Sequence, residues 1–104
     1  MIRHIVMFTL LEEAEGKSKE ENLKLAVEKA WELQDKIPSL KSYQVVTNAP
    51  EADKTNFDIA LICDFEDMEG LNAYQVHPAH KAFGAFITGI RQTRACIDFE
   101  ITEG

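Results

Sequence analysis

Within seven residues, Tyr74-Gln75-Val76-His77-Pro78-Ala79-His80 gathers a phenol and two of the chain's three imidazoles. An imidazole titrates near neutral pH and can accept a carbon-bound proton, and a phenol can donate to an oxygen on which negative charge develops. Tyr74 and His80 together therefore suit enolisation or aldol-type closure of an apolar carbonyl compound, with His80 as base and Tyr74 as hydrogen-bond donor. His4 joins them as a third candidate, although a lone histidine between apolar neighbours is commonly a core residue with one hydrogen bond. The plainer reading of the seven residues is a solvated helix–helix corner. His77 and His80 stand three apart, a spacing that can present two imidazoles to one ion. Pro78 turns His77 out of the helix and no third ligand lies nearby, so no metal is expected. A nucleophilic thiol needs a close histidine; Cys63 shares a face with His4 but reads as core packing. With no glycine-rich phosphate loop and no nucleophile elbow, no cofactor and no serine hydrolysis are expected.

The elements that must position these groups follow from proline chemistry and periodicity. Proline disfavours helix in the residue before it and is welcome in a helix's first turn. One helix therefore ends near Val76, His77 forms the corner, and a second starts at Pro78 with His80 on its first turn. Asp67 is the expected N-cap of the first. Phe83, Phe86, Ile87 and Ile90 recur at helical spacing in the second, which Gly89 ends. Upstream, Ile2 to Leu11 alternates as a strand, Glu12 to Lys17 reads as a charged loop, and Ser18 and Glu21 form a capping box. The helix they open carries Leu23, Ala26, Val27, Ala30 and Trp31, and Pro38 stops it. Leu40 to Asn48, Phe57 to Phe65 and Arg94 to Thr102 alternate as three further strands.

The order β-α-β-β-α-β predicts an α+β, ferredoxin-like subunit: a four-stranded antiparallel sheet, order 4-1-3-2, with helices on one face. A chain of 104 residues makes one domain, 1–104, with one core. Val6, Phe8, Ile59, Leu61, Ile97 and Phe99 are assigned to the helix side, where Trp31, Phe83 and Phe86 would roof a small apolar pocket. Ile5, Met7, Val46, Ala60, Ile62 and Cys96 are assigned to the reverse face. Exposed, that face would be an apolar patch on the order of several hundred Å², at the upper end of what monomers tolerate. A symmetric homodimer covering it is therefore expected, with Cys63 and Cys96 on opposite faces of the sheet.

Net charge −7 with scattered Lys and Arg argues against nucleic acid and anionic membrane as partners. No apolar stretch is long enough for a transmembrane helix. The strand-like start carries no cleavage-site pattern, so no secretory signal is expected. Two cysteines are too few for a disulfide framework, and a cytoplasmic protein with reduced thiols is the expectation.

Several segments together resemble the stress-responsive dimeric α/β-barrel (Dabb) family. They are Ile2-Arg3-His4-Ile5-Val6-Met7-Phe8, the Ile37-Pro38 helix stop, Phe65-Glu66, Tyr74-Gln75-Val76-His77-Pro78-Ala79-His80, and Ala95-Cys96-Ile97-Asp98-Phe99. The resemblance implies a ferredoxin-like subunit and a homodimer whose two sheets form a barrel. The family includes a plant polyketide cyclase making olivetolic acid by aldol cyclisation; Tyr74 and His80 match its acting pair, and His4 matches a pocket histidine on its first strand. Ile59 stands where the cyclase has a further pocket histidine, which makes this pocket more apolar. Many relatives are small proteins with no assigned activity. The expected function is therefore a homodimeric, stress-associated protein with a small apolar ligand pocket. The alternative is a cofactor-free cyclase, isomerase or lyase using Tyr74 and His80.

Overall fold

Alternation in β1 (Ile2–Leu10) separates two environments: Ile2, His4, Val6, Phe8 and Leu10 are buried, and the residues between them half-buried. Such a strand belongs in the middle of a sheet that is covered on one side. The computed structural model, which describes residues 1–102, places it there. Two short strands, β2 (Glu13–Ala14) and β3 (Lys17–Ser18), follow and lead into α1 (Lys19–Glu32). Next come β4 (Ser42–Thr47), β5 (Ile59–Phe65), α2 (Met68–Val76), α3 (Pro78–Thr88) and β6 (Arg91–Glu100). The main sheet is antiparallel in the order β4-β5-β1-β6, the ferredoxin-like arrangement expected. Among the described residues no helix is long and apolar enough to cross a membrane.

The capping box holds: the Ser18 hydroxyl accepts from Glu21 N–H and the Glu21 carboxylate accepts from Ser18 N–H. The segment before it is a small hairpin rather than a loop. Glu15 and Gly16 both take positive φ, 54° and 75°, as a tight two-residue hairpin turn requires. Asn22, itself buried, donates to the Ala14 carbonyl at 3.0 Å and ties this hairpin to α1.

The core lies between the helices and one face of the sheet. Phe8, Leu10, Ile59, Leu61 and Phe65 pack against Ala26, Ala30, Leu71, Tyr74, Phe83 and Ile87. Each large side chain withdrawn from water here contributes about 1.5–3 kcal/mol. Tyr43 extends the core under α1, its hydroxyl donating to the Ala30 carbonyl at 2.7 Å.

The face assignment of the last strand must be corrected. β6 starts at Arg91, earlier than expected, and a register shift separates Thr9 from Leu10 on β1. Below it, Ile97 lies opposite Ile5, Ala95 opposite Met7, Phe99 opposite Arg3, and Cys96 opposite Val6. Directly paired residues share a face. Ile97 and Phe99 are therefore on the reverse face, and Cys96 is on the helix side with His4. Cys63 and Cys96 consequently share a face. The reverse face presents Ile5, Met7, Ala60 and Ile62, all half-buried, with Val46, Phe99 and Ile97 exposed. At its margin Arg3 grips Asp64 through two hydrogen bonds of 2.8 and 3.0 Å.

Candidate functional site

α2 and α3 meet where Pro78 requires them to. Asp67 caps α2 by accepting from Gly70 N–H at 2.9 Å. His77, in extended conformation, caps α3: its Nδ1 accepts from Ala79 N–H at 3.1 Å, and Pro78 opens the helix. That bond occupies Nδ1 as an acceptor and so puts the ring proton on Nε2. His77 is thus a structural residue of the corner.

The corner holds Tyr74 and His80 together. Their ring centroids are 4.4 Å apart, and His4 stands edge-on to Tyr74 at 6.0 Å. The three residues named from the sequence as candidates for acid–base chemistry therefore form one aromatic cluster between α2, α3 and β1. Tyr74 is fully buried, and burial holds its hydroxyl protonated by raising its pKa far above the ordinary phenol value. That hydroxyl accepts a long hydrogen bond from the Cys63 thiol, 3.9 Å away. Burial likewise pushes the Cys63 thiol up to about 12, so it is no nucleophile at neutral pH.

His80 is half-buried. Burial lowers its pKa from the usual 6.5; the Gln75 backbone offsets part of this, and His4 and Arg94 lower it further. His80 is therefore neutral at physiological pH. Its Nδ1 is shut off from solvent, and nothing among the described residues meets hydrogen-bond geometry there. A buried nitrogen left without a partner costs about 1–3 kcal/mol.

The apolar candidates divide. Phe83 and Phe86 lie 6.3 Å apart on α3, and with Ala79 and Lys29 they line a shallow cleft of about 140 Å³ between α1 and α3. Lys29 sits over the Phe86 ring at 5.1 Å. Trp31 is 40% exposed and stands edge-on to Tyr43 at 5.8 Å, over β4. Ile59, 1% exposed, pairs with Phe8 and Thr47 in the core. A larger cleft, about 470 Å³, opens on the other side of the sheet at Met7, Val46, Phe57 and Ala60. Neither cleft is lined by Tyr74 or His80.

Two partners of His4 were not visible in the sequence. His4, 2% exposed, has its Nδ1 2.5 Å from Asp98 Oδ1 and 3.4 Å from Cys96 Sγ. Asp98 is the cross-strand partner of His4 in the β1–β6 register, and Cys96 is next on the same face. Only that register could have revealed them.

Residues 2–101 match the model of the Dabb family, the Stress responsive A/B Barrel Domain. No curated protein matches the chain significantly. Among solved structures, a dimeric ferredoxin-like protein of unknown function from Thermobifida fusca is 28% identical, TM-score 0.82, covering 96% of this chain and 90% of its own. A dimeric protein of unknown function and ferredoxin-like fold from Bacteroides fragilis is 27% identical, TM-score 0.82, with 96% and 95% covered. Hydroxynitrile lyase from Passiflora edulis shares the fold at 17% identity, TM-score 0.75, with 99% and 94% covered.

Proposed function

The chain belongs to the stress-responsive A/B barrel domain family, and on that premise we propose that it is a cytoplasmic, homodimeric binding protein. Its ligand is a small, largely apolar molecule that enters at the α2–α3 corner. The observation that carries this reading is His80 Nδ1, shut off from solvent with nothing in hydrogen-bond geometry around it, the Gln75 backbone being the one backbone group that acts on the ring. A ligand with one hydroxyl or carbonyl oxygen would satisfy that nitrogen once the corner opens, its apolar body lying against the Tyr74 ring that His80 now contacts. The similar proteins from Thermobifida fusca and Bacteroides fragilis are dimers. The same assembly here would bury Ile5, Met7, Val46, Ala60 and Ile62 together with Ile97 and Phe99, which take the place first given to Cys96. Two free thiols suit a reducing compartment.

The 4.4 Å contact between Tyr74 and His80 favours a second reading, a cofactor-free cyclase, isomerase or lyase. Neutral His80 would take a proton from the carbon beside a carbonyl, and the Tyr74 hydroxyl, remaining protonated, would donate to the enolate oxygen. The Tyr74 hydroxyl is enclosed beside Cys63 and His80 Nδ1 is shut off from solvent, so the corner must open under either reading; binding is preferred because it asks only one hydrogen bond of the opened corner. In an NMR titration with small apolar ketones and aldehydes, the His80 ring signals should shift saturably, and His80→Ala should abolish binding. Shifts confined to the reverse face would contradict the proposal.

A further inference from the structure

On the helix side of β1 and β6, three metal-ligating atoms of different chemistry crowd into one small volume. The Nδ1 of His4, the Sγ of Cys96 and a carboxylate oxygen of Asp98 all lie within 4.8 Å of one another. Cys96 and Asp98 alternate along β6 and so project from the same face, and His4 meets them from the neighbouring strand. The sheet pleat thus fixes all three directions, without a loop.

Tetrahedral coordination, with bonds of about 2.0 Å to nitrogen or oxygen and 2.3 Å to sulfur, sets donors about 3.3 Å apart, or about 3.5 Å where one is sulfur. The two sulfur distances here are 3.4 Å to His4 and 3.8 Å to Asp98. The first matches a tetrahedral edge as it stands, and the second exceeds one by about 0.3 Å. The 2.5 Å His4–Asp98 contact would have to lengthen by less than 1 Å, a change that Asp98, one-third exposed, can make by rotating its side chain. The buried imidazole is the fixed member of the set, and the more exposed thiol and carboxylate leave one side open to water.

We propose that His4, Cys96 and Asp98 bind one Zn²⁺ ion, or a borderline divalent ion of the same class, with the fourth position open to solvent. One nitrogen, one sulfur and one oxygen donor suit zinc and exclude the all-oxygen coordination that magnesium and calcium prefer. Binding takes the proton off His4 Nδ1 onto Nε2, and the Cys96 thiol loses its proton to solvent. The site shares His4 with the aromatic cluster but uses neither Tyr74 nor His80, and its readout depends on no organic ligand.

The test is titration of tag-free, reduced protein with Co²⁺. One equivalent per chain should produce the visible bands of a four-coordinate site and a near-ultraviolet thiolate-to-cobalt charge-transfer band, and Zn²⁺ should bleach both. Cys96→Ser should remove the charge-transfer band, and Cys96→Ser and Asp98→Asn should each weaken Zn²⁺ binding at least tenfold. Circular dichroism should confirm that both variants remain folded, as expected at an exposed strand. His77→Ala should bind as the parent does. Absence of these bands at tenfold excess Co²⁺, their persistence in Cys96→Ser, or their loss in His77→Ala would overturn the proposal.

Discussion

Replacing Ile97 by Asp should dissociate the proposed dimer while leaving the subunit folded. Ile97 is 58% exposed on the reverse face, opposite Ile5. Fully burying an isoleucine contributes about 1.5–3 kcal/mol, so the area still open at Ile97 represents about 1–2 kcal/mol. A two-fold interface counts the residue twice, giving about 2–4 kcal/mol, or about 30- to 1,000-fold in dissociation constant. Desolvating two carboxylates adds to that figure, which makes it a lower bound. Sedimentation velocity over a dilution series measures the constant directly. Val76→Asp is the control: Val76 is 64% exposed but lies on α2, in the helix layer. An Ile97→Asp protein that dimerises as tightly as the parent, or a Val76→Asp protein that dissociates equally, would refute the reasoning.

Two further predictions concern the corner. Because burial lowers the folded-state pKa of His80, the unfolded chain binds a proton near pH 6.5 that the folded chain does not. The His80 contribution is therefore fully present above pH 6.5 and is lost as pH falls towards the lower folded value; urea melts from pH 7.5 to 5 should show this, and His80→Gln should flatten that part of the profile. His77→Ala removes the cap on Ala79 N–H and should lower stability by about 1 kcal/mol in urea unfolding, with His77→Asn recovering most of it.

The corner and the first helix were legible because local chemistry decides them. Pro78 ends one helix and starts another whatever surrounds it, and Ser18 with Glu21 forms a box from four consecutive residues. β1 was equally plain, since burial on one face leaves an alternation that has one interpretation. β6 was not. It is an edge strand, mostly exposed on both faces, so Ile97 and Phe99 alternating with Cys96 and Asp98 defines two faces without saying which meets the helices. Assigning the more apolar set to the core inverted the strand, and with it the partners of His4. The β2–β3 hairpin escaped for a different reason: Glu15-Gly16 lacks the Asn-Gly or Asp-Gly signature of such turns. Trp31 followed the helical stripe, but at the stripe's edge, where the ring covers Tyr43 and remains half in water.

The ligand seat is tested most directly by a crystal structure of the protein soaked with small apolar ketones and aldehydes. The account predicts density for a bound compound at the α2–α3 corner, its oxygen within hydrogen-bond distance of His80 Nδ1 and its body against Tyr74. Compounds found only elsewhere, or a closed corner in which His80 Nδ1 is hydrogen-bonded to the protein itself, would contradict it.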